Sequence, residues 1–102
     1  MYITHFLYEV DPEKQEEYLK ATRDIIKPFW LEHGCYSYDV YQEYDREKGK
    51  PGTRFIKTQI MDGMPGPLKE ARAQYPEGAK EIVGIFYSFT KNVSFQTYLK
   101  KI

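Results

Sequence analysis

One cysteine, one tryptophan, two histidines and one asparagine in 102 residues leave this chain poor in several kinds of chemistry. A lone cysteine cannot close an intrachain disulfide, which excludes the small secreted scaffold held by bridges. His5, His33 and Cys35 lack metal-ligand spacing, so no metal and no cofactor is expected. Haem would need an axial ligand from His5, His33 or a tyrosine, a weak basis for haem binding. Net charge is also missing, since 15 Lys+Arg balance 15 Asp+Glu. Phosphate recognition draws on clustered cations, so nucleic acid and anionic membranes are poor partners. No apolar run approaches the ~20 residues that span a bilayer. The opening Met1-Tyr2-Ile3-Thr4-His5 carries no basic leader segment, and the expectation is a cytoplasmic protein.

Aromatic residues are abundant: ten tyrosines and six phenylalanines within a 41% hydrophobic composition. That is enough to bury a core, which argues against disorder, and the length fits a single domain over 1–102. Tyrosine pairs a large apolar body with a polar tip, so it suits interfaces and partly wet cavities. It also favours strands, which is the plainer reading.

Residues 2–10 (YITHFLYEV) form an uninterrupted β-branched and aromatic run that predicts a strand. Asp11-Pro12-Glu13 then opens a helix, with Asp11 placed to accept the free backbone N–H groups. Its apolar stripe is Tyr18, Leu19, Thr22, Ile25, Ile26, Phe29 and Trp30. Pro28 inside it predicts a kink near the Asp24 carbonyl, and Gly34 a left-handed stop. Residues 36–44 alternate, with Tyr36, Tyr38, Val40 and Tyr44 on one face and Ser37, Asp39, Tyr41 and Glu43 on the other. The charged, Gly-rich segment 45–52 reads as a hairpin loop and 53–61 as the returning strand. A short helix is expected over 67–75, a fourth strand over 82–90 and a terminal helix from Phe95 to Ile102.

The order strand-helix-strand-strand-helix-strand predicts an α+β fold: a ferredoxin-like split βαβ pair with an antiparallel four-stranded sheet and both helices on one face. The other face is left bare. With Tyr41, Phe55, Met61 and Phe86 expected there, a monomer would expose too much apolar area. A symmetric homodimer pairing two sheets would bury it and enclose a cavity.

The run Pro28-Phe29-Trp30-Leu31-Glu32-His33-Gly34-Cys35-Tyr36-Ser37-Tyr38 resembles the helix-to-strand junction of the antibiotic-biosynthesis-monooxygenase-like group in the dimeric α/β-barrel superfamily. Val10-Asp11-Pro12 is similar to that group's first strand-to-helix turn. The likeness covers roughly the first 60 residues, within the usual boundary error. Farther on, Met61 stands where the group often has Trp, and residues 68–75 (LKEARAQY) contain no His. The resemblance implies a dimeric α/β barrel of a superfamily that includes cofactor-free oxygenases, isomerases, haem enzymes and ligand-sensing domains. Fold analogy does not choose among them.

Strand faces decide which side chains line such a cavity. Val83, Ile85, Tyr87 and Phe89 are expected toward the helices, turning Phe86 outward with Gly84 and Ser88. Ile56 and Ile60 are expected inward, which aims Phe55, Lys57, Gln59 and Met61 at the open side. On the first strand, Ile3, His5, Leu7 and Glu9 are placed there, because His5 and Glu9 are costly beneath a helix. The candidate catalytic pair is His5 as base and Asp39 as its orienting acid. Tyr41, Lys57, Gln59 and Phe86 are the candidate substrate-binding residues, the polar ones stabilising an enolate or oxyanion. The plainer alternative pairs Asp39 with Lys57 across strands and makes His5 a satisfied core residue. His33 reads as structural and Cys35 as a packed small residue. The function expected is binding of a small apolar or aromatic molecule, with cofactor-independent monooxygenase-like or isomerase-like chemistry. The alternative is a non-catalytic ligand-binding or assembly module.

Overall fold

Four strands hydrogen-bond into one antiparallel sheet in the computed structural model, which describes residues 1–63 and 75–102. β1 (Tyr2–Glu9), β2 (Cys35–Asp45), β3 (Lys50–Met61) and β4 (Lys91–Leu99) lie in the spatial order β2-β3-β1-β4. Every neighbouring pair is antiparallel. The β2–β3 reversal occupies Arg46–Gly49, where Asp45 Oδ1 accepts the Glu47 and Lys48 N–H groups at 3.0 Å each. Gly49 completes it at φ +66°, a conformation that costs a side-chain-bearing residue more.

The first helical segment follows β1 at once. A 3₁₀ turn at Pro12–Lys14 leads into α1 (Gln15–Ala21), a π turn (Thr22–Ile26) and α2 (Lys27–Glu32). Asp11 makes no side-chain cap; its carboxylate instead meets Lys91 Nζ at 2.6 Å on β4. The strain expected at Pro28 is absorbed in the widened turn before it, where the Lys27 N–H reaches back to the Thr22 carbonyl. At the C-terminus His33 Nδ1 donates to the Phe29 carbonyl at 2.7 Å, and Gly34 leaves the helix at φ +104°.

The second half corrects two expectations. Residues 82–90 are not a strand: α3 (Ala79–Phe89) runs through them. Ile82 and Phe86 are buried, with Ile85 and Phe89 packed beside them, which is the i, i+3, i+4, i+7 face of a helix. Short apolar runs carry both periods, and here burial of one helical stripe decides. The expected terminal helix is β4, whose Phe95 lies opposite Phe6 with rings stacked at 5.3 Å. The free edge of β1 demands hydrogen-bond partners, and this segment supplies them. The helix expected over 67–75 falls outside the described residues except for Tyr75, which is not helical.

The helices cover one face of the sheet. The core between them holds Tyr8, Val10, Tyr18, Ile26, Tyr38, Phe55, Ile82 and Phe86. Bulges in β2 near Cys35–Ser37 and Gln42–Tyr44 shift the pleat, so Tyr36 and Tyr44 are exposed rather than sharing the inner face of Tyr38.

Candidate functional site

Five of the six candidate residues lie on the sheet, and the pairing register puts three on the bare face and two on the helix-covered one. Residues directly opposite across antiparallel strands share a face. On the bare face, one row runs Ser37–Ile60–Ile3–Tyr98 and the next Asp39–Thr58–His5–Gln96. A third row runs Tyr41–Ile56–Leu7–Ser94. His5, Asp39 and Tyr41 are therefore where the sequence placed them. Lys57, Gln59 and Phe86 are not.

On the bare face His5 and Asp39 stay apart. β3 lies between their strands, a separation of ~10 Å at the usual strand spacing. His5 Nδ1 is hydrogen-bonded to Thr58 Oγ1 at 3.3 Å, and its ring meets Tyr98 edge-on at 5.6 Å. Asp39 Oδ2 accepts from Ser37 Oγ at 2.6 Å, while Oδ1 lies 3.6 Å from Lys27 Nζ. Among the described residues the imidazole therefore has no carboxylate hydrogen-bonded to orient it. The alternative ion pair of Asp39 with Lys57 does not form either, since Val40 is the residue opposite Lys57. A groove of about 570 Å³ opens lower on this face, between Leu7, Ile56 and Tyr41 on the floor and Glu9, Glu43 and Arg54 at the rim.

The helix-covered face holds the unexpected chemistry. Phe55, Lys57 and Gln59 point beneath the helices, at 1%, 5% and 8% exposure. Lys57 Nζ sits 3.8 Å from the Phe6 ring centre, 4.2 Å from that of Phe86 and 5.1 Å from that of Tyr38. No carboxylate pairs with it among the described residues. Burial pushes its amine down to about 7, against the attraction of the ring faces, worth ~0.5–2 kcal/mol for the cation. Beside it Gln59 Nε2 donates to Cys35 Sγ at 3.4 Å, and burial raises the Cys35 thiol. Phe86 stacks edge-on to Tyr8 at 5.1 Å and to Phe6 at 6.0 Å, a core residue next to the amine rather than a wall of the open side.

Four hydroxyls complete this interior. Those of Tyr8 and Tyr18 hydrogen-bond to each other, and burial raises both phenols. Tyr38 Oη and Thr22 Oγ1 are buried without a hydrogen-bond partner among the described residues. Thr22 Oγ1 lies near the Tyr18 hydroxyl without hydrogen-bonding geometry. Buried polar atoms are nearly always paired, and leaving one unpaired costs ~1–3 kcal/mol. Two buried hydroxyls, Tyr38 Oη and Thr22 Oγ1, thus lack a partner among the described residues, while the Lys57 ammonium faces aromatic rings. Among the described residues no three His, Cys, Asp or Glu side chains gather as metal ligands. Among the described residues no helix is long and apolar enough to cross a membrane.

Tyr38 and Thr22 lie on the inward faces expected of them, whereas Lys57 was placed on the wrong side of the sheet. Period 2 binds residues 55, 57 and 59 to one face, so fixing that face by Phe55 instead of Ile56 would have found the lysine.

The fold is shared with known structures. A provisionally named antibiotic biosynthesis monooxygenase from Deinococcus radiodurans superposes with a TM-score of 0.68 at 18% identity, covering 100% of this chain and 94% of that one. A counterpart so named from Nitrosomonas europaea gives 0.66 at 20% identity, covering 98% of each chain. A conserved protein from Methanosarcina mazei gives 0.59 at 24% identity, over 99% of this chain and 94% of the other. No curated protein sequence matches the chain. Residues 1–55, spanning β1, the first helical segment, β2 and the start of β3, match the antibiotic biosynthesis monooxygenase model, and the chain belongs to that family.

Proposed function

We propose that this protein binds a small aromatic molecule against the helix-covered side of the sheet and acts on it without a cofactor. The observation that carries the reading is a buried amine set among aromatic rings, Lys57, in the same covered interior as two buried hydroxyls without a partner among the described residues, Tyr38 Oη and Thr22 Oγ1. A ligand bearing a carbonyl or phenolate oxygen gives such donors an acceptor, and the Phe6 and Phe86 rings beside the amine suit an aromatic body. As negative charge develops on that oxygen, donors fixed in a poorly hydrated interior stabilise it. An amine near pKa 7 exchanges protons readily at neutral pH, as a base for an acidic C–H or O–H requires. The family name points to oxygenation. In that case a phenol gives four electrons to O₂, one oxygen atom entering the ring to form a quinone and the other leaving as water.

The working unit in this reading is a homodimer paired through the bare faces. Leu7, Ile56 and Tyr41 are each at least 40% exposed and lie side by side in the third row of that face, an apolar strip that a second copy would cover. The same feature favours the second reading, an assembly module without catalysis. The two separate in a titration of phenol and of acetophenone, followed by fluorescence of Trp30, the single tryptophan. Saturable binding that weakens about tenfold in Lys57→Met, a loss of ~1.4 kcal/mol, supports the proposed site. Equal binding by both proteins, or none by either, overturns it. A His5→Ala variant is expected to bind as the wild type does.

A further inference from the structure

We propose that Lys57 bonds covalently to its ligand, condensing with the carbonyl carbon of an aromatic aldehyde or ketone to form an imine. This rests on the ligand site proposed above and narrows its substrate class from any oxygen acceptor to a carbonyl compound. The geometry supplies each part of the step. The amine is held in an aromatic interior by Phe6, Phe86 and Tyr38, with no carboxylate among the described residues to hold its proton. Desolvation in apolar surroundings is what makes a lysine nucleophilic near neutral pH. Its position on β3, in the sheet rather than on a loop, fixes where the attack comes from.

Atoms and electrons balance without any further reagent. The Nζ lone pair attacks the carbonyl carbon and the C=O π pair moves to oxygen. A proton passes from nitrogen to that oxygen, giving a carbinolamine. Tyr38, whose ring centre lies 5.1 Å from the amine and whose buried hydroxyl has no partner among the described residues, relays protons: it delivers one to the departing hydroxyl and recovers one from nitrogen. Water leaves, the C=N bond forms, and nothing is oxidised or reduced. Water is the only by-product, and hydrolysis returns the free lysine.

The experiment treats the full chain with benzaldehyde at pH 7 in the presence of cyanoborohydride, which transfers hydride to the imine carbon and fixes it as a secondary amine. Intact mass is expected to rise once, by the mass of benzaldehyde less one oxygen atom, and peptide mapping to put the label on Lys57. The other ten lysines compete. An ordinary lysine is neutral in only about one molecule in a few thousand at pH 7, so labelling at Lys57 is expected to exceed any other site at least about tenfold. Tyr38→Phe should slow labelling about tenfold while leaving the labelled position unchanged. Lys57→Arg should abolish the label, with its fold checked by circular dichroism. Label spread evenly over surface lysines overturns the proposal. Binding of benzaldehyde seen by Trp30 fluorescence without label at Lys57 also overturns it, while leaving the site intact. Neither binding nor label overturns both.

Discussion

Lys57 and Phe6 stand directly opposite each other on β3 and β1, and the ammonium nitrogen lies 3.8 Å from the centre of the ring. A cation in that position is held by the ring face and penalised by the missing water, and the penalty is the larger effect. The consequence is a pH-dependent stability. The folded-state amine titrates at about 7, below its ordinary range near 10.4, so between those values the unfolded chain binds more protons than the folded one. Stability therefore rises with pH across this window, by at most about 1.4 kcal/mol per pH unit. Lys57→Met is expected to be the more stable protein at pH 6, by a few kcal/mol, with the difference shrinking toward pH 10. Urea unfolding of both proteins across this range checks it; a constant difference contradicts the buried amine.

Phe86 and Tyr41 test the assignment of faces. Both were read as walls of one cavity, yet Phe86 is 4% exposed in the core and Tyr41 60% exposed on the bare face. Phe86→Ala is expected to cost ~3–5 kcal/mol, from lost burial plus the cavity left among Phe6, Tyr8 and Tyr18. Tyr41→Ala should stay within about 0.5 kcal/mol when unfolding of the monomer is measured. Equal losses in both variants would remove the distinction between the faces.

The contrast shows where the sequence was readable. On β1 the cost of burying His5 and Glu9 sent them outward and left Tyr8 inward, which the structure repeats. Ser37, Asp39 and Tyr41 followed the same logic. Applied to β3, that logic failed, because it turned Lys57 and Gln59 outward when both are buried. Sites that break a local rule at an energetic cost are those whose side chains are retained for something besides stability. The misread α3 and β4 have another cause: residues 82–89 are apolar at both helical and strand spacings, and pairing with the distant β1 was invisible locally.

Pairing through the bare face makes its own demand. Ile56 lies between Tyr41 and Leu7 in the third cross-strand row, at the middle of the exposed apolar surface. Ile56→Lys would put a charge in the middle of any pairing through this face, where its desolvation and the lost apolar burial both oppose association. Wild-type protein is expected to sediment as a dimer at micromolar concentration and Ile56→Lys as a folded monomer. A wild-type monomer at that concentration removes the dimer.

Tyr38 separates a binding site from a flaw in packing. Its hydroxyl is buried with no partner among the described residues, and burial raises its phenol. If the hydroxyl serves a ligand, Tyr38→Phe removes an unsatisfied group from the ligand-free protein and a hydrogen bond from the complex. The variant should then unfold at equal or higher urea concentration, since an unpaired buried polar group costs ~1–3 kcal/mol. It should also bind acetophenone about five- to tenfold more weakly, a loss of ~1–1.4 kcal/mol. A mere packing flaw predicts equal or higher stability as well, but with unchanged affinity. The two measurements on one variant therefore move in opposite directions under the proposed site and not otherwise, and Lys57→Met, stabilising at pH 6 while abolishing the amine, repeats the test from the other donor.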